Sequence, residues 1–384
     1  MLHVAFVLTG VMTTLLGPIL PFLSARWELN DSQSGSLFTV QFLSNLLGVA
    51  FATFVTRQQK YRSALMLGAG FMAAGAVLLA HASLVLGISA IAIYGIGLGS
   101  IIPAANLLIA ELNPDRRAAA LNLLNFSWGI GAVGSPIIIR ALHSLGLYLY
   151  VMGAILAVSA ATMVWVPAPI EPRKEPNSDN VSPQSAVPWL SRLVFILGIL
   201  FFCYVGTENA VAGWIASYAK RLGTESSHLW TMMPSFFWGA LLCGRALAPL
   251  LLRHMRETSL STLGLSLAVT GVAVLLGTRS MVLIGIAAAV SGLGLSSIYP
   301  AYIAMLSHWF GAAGVRVGGL MFALGSVGGA SLPWLVGLLS THFSSLRAGL
   351  VVPLASSMLM LALYLAFGSY RPTAVERSKG AANT

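Results

Sequence analysis

Charged residues are scarce in this 384-residue chain: Asp, Glu, Lys and Arg make up only 8% of it. An ordinary soluble domain carries about 25% charged residues, because they cover its surface. The shortage therefore excludes an ordinary soluble globular protein. Hydrophobic residues make up 57% of the chain, and lipid is the solvent that suits them. The sequence predicts an integral membrane protein.

Clusters of metal-ligating or catalytic residues are also lacking. The chain has two cysteines, Cys203 and Cys243, and both lie in apolar runs without a metal motif or an expected disulfide. The apolar runs contain no His pair, Cys cluster or Ser–His arrangement at a shared depth, so we do not expect an enzyme. We accordingly expect no metal and no cofactor. The glycine string at residues 129–134 has no preceding strand, which argues against a nucleotide loop.

Acidic residues are half as frequent as basic ones, which gives a formal net charge of +10. The basic residues lie in short loops between apolar runs and form no stripe on one element, so we expect no nucleic-acid partner. If the N-terminus is cytoplasmic, fourteen Lys and Arg residues fall on the cytoplasmic side and five fall outside. This bias predicts a protein of the cytoplasmic (inner) membrane with both termini in the cytoplasm.

Twelve apolar runs are long enough to cross the bilayer, which takes about 20 residues each. Backbone polar groups in lipid must be satisfied internally, so each run is predicted to be a helix. The first run has no basic segment before it and leads into a polar loop, so we interpret it as an uncleaved span. The runs are 2–24, 33–55, 62–82, 84–111, 118–143, 146–167, 189–219, 228–251, 258–278, 281–307, 313–341 and 346–369.

The long polar stretch of the chain lies between the sixth and seventh runs, at residues 170–188. Its proline, serine and charge content is typical of a flexible linker. We therefore predict a first six-helix bundle at 1–169, a cytoplasmic linker at 170–188, a second bundle at 189–370 and a cytoplasmic tail at 371–384.

The two halves repeat one another in sequence. Residues 95–104 read GIGLGSIIPA and residues 292–301 read GLGLSSIYPA, with seven of ten positions identical at an offset of 197. At an offset of 196, Gly48 corresponds to Gly244 and Gly68 to Gly264. A shared offset of about half the chain is not expected from chance matches in apolar sequence. Halves with the same topology are predicted to rock about a central site.

Six plus six helices, a central linker and a parallel repeat resemble the major facilitator superfamily over nearly the whole chain. Residues 202–218, FCYVGTENAVAGWIASY, are similar to the "YVG-x-E…GW-x-x-x-Y" signature of the fucose–galactose–glucose:proton symporter group. Residues 122–136, NLLNFSWGIGAVGSP, resemble that group's "N…FG-x-G…G-x-P" helix. The resemblance implies a twelve-helix transporter in two pseudo-symmetric bundles, and it implies sugar uptake.

The chain departs from that group where proton coupling is concerned. The group's proton-coupled members carry acids in the first and fourth spans. Here the first span has none, and the fourth has only Glu111 at its cytoplasmic end. Glu208 is the one acid deep in a span, where a charge costs about 2.5–3.5 kcal/mol to insert. It is therefore the candidate for substrate binding and for any proton coupling, although a structural bond to a neighbouring helix is the alternative.

Further polar and aromatic residues of the seventh span accompany Glu208. Tyr204 lies one turn before it on the same face, and Asn209 follows it. Trp214 is a candidate for stacking on a sugar ring, or else a belt residue at the membrane interface. Amides, a carboxylate and aromatic faces are what hydroxyl-rich solutes need.

Other spans supply a second group of candidates. Asn122, Asn125 and Trp128 form one helical stripe in the fifth span, and Gln41 and Asn45 are one turn apart in the second. Such amides line a cavity or hold helices together, and the sequence leaves both alternatives open. Tyr299 in the tenth span completes the predicted site. Arg245 in the eighth span either extends to the cytoplasmic surface or pairs, at a gate, with an acid or a helix C-terminus.

The predicted function is alternating-access transport of a neutral polar solute, with a monosaccharide favoured and proton coupling through Glu208 left open. The alternative is efflux of drugs or lipophilic cations, which the same architecture supports. The expected partners are the small-molecule substrate, the lipid bilayer and, if coupling exists, protons. We expect the protein to be a monomer.

Overall fold

The computed structural model describes residues 1–167, 192–223, 228–311, 314–368 and 370, apart from the side chains of 118, 228 and 314–316. Within these ranges the chain is helical and contains no strand. The predicted linker at 170–188 and the predicted tail at 371–384 lie outside the described residues.

The described residues form fifteen α-helices, numbered in chain order. They are α1 Leu2–Thr13, α2 Leu16–Arg26, α3 Asp31–Arg57, α4 Tyr61–Ala80, α5 Leu84–Leu112, α6 Arg117–Leu142, α7 Leu145–Thr162, α8 Arg192–Leu222, α9 Met233–Leu251, α10 Glu257–Gly277, α11 Met281–Leu295, α12 Ile298–Phe310, α13 Gly314–His342, α14 Leu346–Gly349 and α15 Val351–Phe367.

Twelve membrane spans result from these helices. Eleven helical segments in the described residues are long and apolar enough to cross a bilayer, and the bent pair α1–α2 makes the twelfth span. The pair bends by 43°. Pro18 contributes to this bend because it has no N–H to donate to the carbonyl of Thr14. The twelve predicted spans are thus confirmed, with ends that shift by a few residues.

Equivalent helices pack in equivalent ways in the two halves. In the first half α3 and α4 pack on α5, and α1 packs on α6. In the second half α9 and α10 pack on α11, and α8 packs on α13. Each pair in one half corresponds to a pair in the other, so the predicted fold of two pseudo-symmetric six-helix bundles is confirmed. The residue boundaries of the two bundles stay a prediction.

Glycines at repeat-related positions make these close helix contacts. A Cβ on Gly68 would come 3.0 Å from the carbonyl oxygen of Gly97, and a Cβ on Gly264 would come 2.6 Å from that of Gly294. These glycines correspond at the sequence offsets of 196 and 197. Small residues let helix backbones approach each other where lipid provides no hydrophobic driving force. The repeat is therefore present in the packing as well as in the sequence.

The two halves meet through α2 on α8, α3 on α13 and α6 on α9. At one end of this interface Arg221 forms an ion pair with Asp31, which also accepts a hydrogen bond from Ser340. The backbone N–H of Ser32 donates to Thr341 Oγ1 over 2.9 Å. These contacts join α3 to α8 and α13, and we call this the closed end.

The opposite end of the interface, where α3 ends at Arg57 and α9 ends near Arg253, has a different character. The amide side chains of Asn122 and Asn125 on α6 are exposed near it, although lipid would leave their polar atoms unsatisfied. Of the α6–α9 contacts, Trp128 meets Trp238 and Gly129 meets Leu242, well before either helix reaches this end. We interpret the arrangement as a cleft between the halves and call this end the open end.

Candidate functional site

An ion pair lies deep in the second half, at the head of the cleft. Glu208 on α8 is 8% exposed, and its Oε1 lies 3.6 Å from Nη2 of Arg245 on α9. Tyr204, one turn earlier on α8, donates its hydroxyl to Glu208 Oε1 over 3.3 Å and accepts from Arg245 Nη2 over 3.2 Å. Two helices therefore share one small polar cluster in an otherwise apolar region.

Aromatic rings surround this cluster. The Tyr299 ring of α12 has its centroid 5.6 Å from that of Tyr204 and 5.7 Å from that of Phe201. The Tyr302 ring lies 6.2 Å from Tyr204 and is fully buried. The structure thus brings Tyr204, Glu208 and Tyr299 together, three of the residues predicted from the sequence.

Amide side chains of the first half form a second group. Asn125 on α6 is exposed, and its Nδ2 donates to Asn106 Oδ1 on α5 over 3.1 Å and to the Leu121 carbonyl over 2.8 Å. Asn122, also on α6, is exposed as well. Exposed amides in a membrane span indicate a water-accessible face, since lipid would leave their polar atoms unsatisfied.

Gln41 and Trp128 belong to a third group, centred on Thr13 at the end of α1. Gln41 is 2% exposed, donates to the Thr13 carbonyl over 3.1 Å and accepts from the Tyr94 hydroxyl over 3.0 Å. Trp128 donates its indole N–H to Thr13 Oγ1 over 3.2 Å. Gln41 therefore links α1, α3 and α5 in this state. Trp128 is half-buried and meets Trp238 across the interface.

The remaining predicted residues lie outside these three groups. Asn45 on α3 and Asn209 on α8 are half-buried, and Asn209 donates to the Val205 carbonyl of its own helix. Trp214 is 1% exposed and donates its indole N–H to the Pro333 carbonyl on α13 over 2.9 Å. The interpretation of Trp214 as a lipid-interface belt residue is therefore wrong, because its ring is packed inside the protein.

Two parts of this arrangement were not predicted. The sequence left open whether Arg245 extends to the membrane surface or pairs with an acid, and the structure pairs it with Glu208. The Asp31–Arg221 pair at the closed end was missed altogether. Arg221 lies in the last turn of α8 whereas Asp31 starts α3, so no local spacing relates them.

Together these side chains can bind an uncharged solute through hydrogen bonds. Glu208 accepts, Arg245 donates, and amides and tyrosines do both, while the rings offer flat apolar surface. Among the described residues no group of three or more His, Cys, Asp or Glu could hold a metal ion.

Comparisons with known proteins agree with this architecture. Sodium-dependent glucose transporter 1A of Mus musculus is 24% identical over 411 residues, an alignment that covers 94% of each chain. Sodium-dependent glucose transporter 1 of Homo sapiens is 19% identical over 93% of this chain and 76% of that protein.

Solved structures show the same fold. The nucleoside transporter NupG superposes with a TM-score of 0.76 at 13% identity, over 96% of this chain and 99% of that one. The E. coli fucose:proton symporter FucP superposes with a TM-score of 0.65 at 17% identity, over 96% and 98%. A bacterial homologue of the human lysosomal transporter Spinster, in an inward-facing and occupied conformation, reaches 0.72 at 14%, over 97% of each chain.

The family model of the Major Facilitator Superfamily matches residues 2–290, which is more than half of the chain. Taken with the twelve spans and the paired halves, this match shows that the chain belongs to the major facilitator superfamily and is a multi-pass membrane transporter rather than an enzyme.

Proposed function

We propose that this transporter moves a neutral polar solute, a monosaccharide, by alternating access. The observation that carries the proposal is the Tyr204–Glu208–Arg245 cluster at the head of a cleft between the halves. Buried ionisable groups in membrane spans are costly and usually face a substrate path. In this architecture substrate sites lie near mid-bilayer at the interface of the repeats.

The polar groups on the two sides of the cleft suit a hydroxyl-rich sugar ring. The cluster of the second half supplies a carboxylate acceptor, a guanidinium donor and tyrosine rings, and α6 of the first half supplies the exposed amides Asn122 and Asn125. Full-length similarity to proteins named as glucose transporters supports the same substrate class. We propose that the site residues are Gln41, Asn45, Asn122, Asn125, Trp128, Tyr204, Glu208, Asn209, Trp214 and Tyr299, with Gln41 and Trp214 engaging only after they give up the bonds that hold them within their own halves.

Efflux of lipophilic cations fits the cluster less well. Such a cavity uses an unpaired acid to attract the cation, but here Arg245 already lies beside Glu208. A second cation at this place would meet like charge at close range, which is unfavourable where the dielectric constant is low.

We further propose that the protein lies in the cytoplasmic membrane with both termini inside, so that the closed end faces outward and the open end faces the cytoplasm. The bias of Lys and Arg towards that side supports the orientation. In this orientation the bundles at 1–169 and 189–370 rock about the site, and the linker at 170–188 is cytoplasmic.

Counterflow in proteoliposomes tests the substrate class. Vesicles loaded with an unlabelled hexose should take up the labelled hexose transiently, whereas vesicles loaded with a nucleoside or a cationic dye should not. A thermal-shift screen of purified protein against hexoses, pentoses and cationic dyes should give the same ranking, because a ligand stabilises the state that binds it. Stabilisation by dyes and not by sugars would overturn the proposal in favour of efflux.

Coupling to protons, if present, would run through Glu208. In that case Glu208→Gln should abolish uphill accumulation while leaving counterflow exchange intact. If Glu208 only binds the sugar, the same change should weaken binding and exchange together, and uptake by the unaltered protein should ignore a pH gradient. Sodium is a second candidate ion, since the relatives are named as sodium-dependent.

A further inference from the structure

Arg245 has hydrogen-bonding capacity that the protein itself does not use. Its Nε is buried and has no hydrogen-bond partner among the described residues, although its side chain as a whole is 31% exposed. The Tyr302 hydroxyl, in the same aromatic surround, is buried and unpartnered in the same sense. Buried donors without partners are rare because they lose their hydration without compensation. The unpartnered Nε of Arg245, beside the cluster, indicates a place where a ligand completes the bonding.

Arg245 continues a stripe of α9 whose preceding members contact the first half. Trp238, Leu242 and Arg245 are spaced i, i+4 and i+7, so they form one stripe along the helix. Trp238 meets Trp128 of α6, and Leu242 meets Gly129. Arg245 is the next member of the stripe, one turn nearer the open end, just as Asn125 on α6 lies about one turn nearer that end than Trp128 and Gly129. Arg245 therefore lies where the two halves begin to separate.

We propose that Arg245 contacts the substrate, donating to one of two adjacent hydroxyl groups while Glu208 accepts from the other. We also propose that its guanidinium is the fixed counter-ion of Glu208, so that transport requires neither a sodium ion nor a proton. This inference rests on the proposed monosaccharide transport and specifies the substrate as a neutral solute with a vicinal diol.

Charge balance supports the counter-ion role. A lone buried carboxylate would need a cation to accompany it each time the cavity closed, but Glu208 and Arg245 together sum to zero. The third member of the cluster is Tyr204, and the tyrosines in ring contact with it are Tyr299 and Tyr302. Tyrosine is ordinarily uncharged near neutral pH. The other helices packed against α8 or α9 carry their charged residues and histidines at or near helix ends: Arg26 of α2, Arg117 and Arg140 of α6, His308 of α12 and His342 of α13. Tyr364 of α15 contacts Tyr302.

The geometry also explains why a diol fits. The Glu208–Arg245 separation of 3.6 Å is longer than a normal hydrogen bond, so the pair is held loosely. Vicinal hydroxyls can bridge such a pair, because one donates to the carboxylate while the other accepts from the guanidinium fork. A carboxylate on the substrate would instead compete with Glu208 for Arg245, so hexoses should be preferred over their uronates.

Removing the guanidinium tests both roles in proteoliposomes. Arg245→Gln should lower hexose affinity by about ten-fold or more, as expected for losing a charged hydrogen bond, and should make the residual uptake depend on sodium or on low pH. Hexose uptake by Arg245→Lys should remain independent of the sodium and proton gradients. Its hexose affinity should be lower, because an ammonium lacks the planar, forked donor geometry of a guanidinium. The double variant Glu208→Gln with Arg245→Gln should again ignore both gradients. Arg253→Gln, an exposed arginine in the turn just after α9, serves as the matched control.

Each outcome decides a different point. Accumulation of hexose by the unaltered protein on a sodium or proton gradient would overturn the counter-ion role while leaving sugar transport intact. Unchanged hexose affinity in well-folded Arg245→Gln, judged by its melting temperature, would overturn the substrate contact. Absence of counterflow with every hexose tested would instead reject the proposed function itself. If Arg245→Gln does not fold, the gradient response of the unaltered protein and the affinity of Arg245→Lys still decide.

Discussion

The two halves of the molecule share a scaffold and differ in what they present to the cleft. Repeat-related glycines bring equivalent helices together in both halves, as with Gly68 on Gly97 and Gly264 on Gly294. The polar groups at the cleft differ, because the first half presents amides whereas the second half presents an ion pair with tyrosines. The packing positions have thus remained alike while the lining positions have diverged.

The divergence is plain at the positions that carry charge. At an offset of 196, Met12 corresponds to Glu208 and Val49 corresponds to Arg245. Both members of the ion pair therefore replace apolar residues of the first half. A buried charge without its partner is strongly destabilising, so the two residues must be present together. The second half consequently holds the charged chemistry, and the first half holds neutral hydrogen-bonding groups.

The largest effect should come from neutralising the charge of the second half. Glu208→Gln should weaken hexose binding by roughly 10- to 100-fold, since hydrogen bonds to charged groups contribute about 1.5–3 kcal/mol. Isothermal titration of purified protein measures this directly. Glu257→Gln, an exposed acid at the start of α10, is the control and should bind normally. Equal affinity in the two variants would remove Glu208 from the site.

The next largest effect is on stability, and it compares Gly48 with Gly244, which occupy the same repeat position in the two halves. A Cβ on Gly48 would overlap the Ile96 backbone carbonyl. A Cβ on Gly244 would overlap the Ser296 side chain instead, where Oγ can rotate away but Ser296 Cβ, at 2.6 Å, must shift slightly. Gly48→Ala should therefore lose about 1–3 kcal/mol of stability from overpacking, and Gly244→Ala should lose less. Thermal melts in detergent measure the difference.

Gly70→Ala is the control for this pair, because a Cβ there has no atom within 4 Å among the described residues. A melting temperature for Gly48→Ala equal to that of Gly70→Ala would contradict the proposed role of close helix approach. A larger loss of melting temperature in Gly244→Ala than in Gly48→Ala would show that the Ser296 side chain cannot move aside.

The fold was largely predictable from the sequence, for a physical reason. Hydrocarbon thickness sets the length of every span, so apolar runs mark the helices, and the shared offset marks the repeat. The bend between α1 and α2 was not predicted, because the apolar run continues through it. Pro18 was the available signal, but proline alone does not fix whether a membrane helix bends.

The candidate site was only partly predictable. The depth of Glu208 in its span marked it as significant, and its neighbour Tyr204 follows from helical spacing. The pairing of Glu208 with Arg245 depends on how α8 and α9 are rotated, which no local pattern reveals. Gln41 shows the converse, because a cavity amide and a helix-bridging amide look alike in sequence, and here both its polar atoms are bonded within the first half.

A smaller effect is expected from the amides of the first half. At an offset of 197, Asn125 corresponds to Phe322. The first half therefore has a polar residue at the position where the second half has an aromatic one. Asn125→Ala should weaken hexose binding by about 2- to 10-fold, as for a neutral hydrogen bond of about 0.5–1.5 kcal/mol. Hexose titration of Asn106→Ala shows whether Asn106 contacts the sugar itself or only positions Asn125. If Asn106 only holds Asn125, its loss should matter less, and no loss in either variant would place the sugar entirely on the second half.

The smallest effect concerns the contact that joins the halves at the closed end. Arg221 is 49% exposed, and exposed ion pairs contribute only about 0–1 kcal/mol. Asp31→Asn removes this pair and weakens the bond from Ser340, and both bonds exist only while the halves meet at this end. The change should therefore shift the population towards opening there by about 2- to 5-fold.

Alkylation of a reporter cysteine measures that shift. Ser217 lines the same cavity as Asp31 and Arg221 and is 7% exposed, so a cysteine placed there should react slowly until this end opens. In a background with Cys203→Ser and Cys243→Ser, Asp31→Asn should raise the alkylation rate by about 2- to 5-fold. Asp115→Asn, an exposed acid in the turn between α5 and α6, should leave the rate unchanged. A rate that stays the same in Asp31→Asn would mean that glycine-mediated backbone contacts such as Gly35 on Trp334 hold this end shut without help from the ion pair.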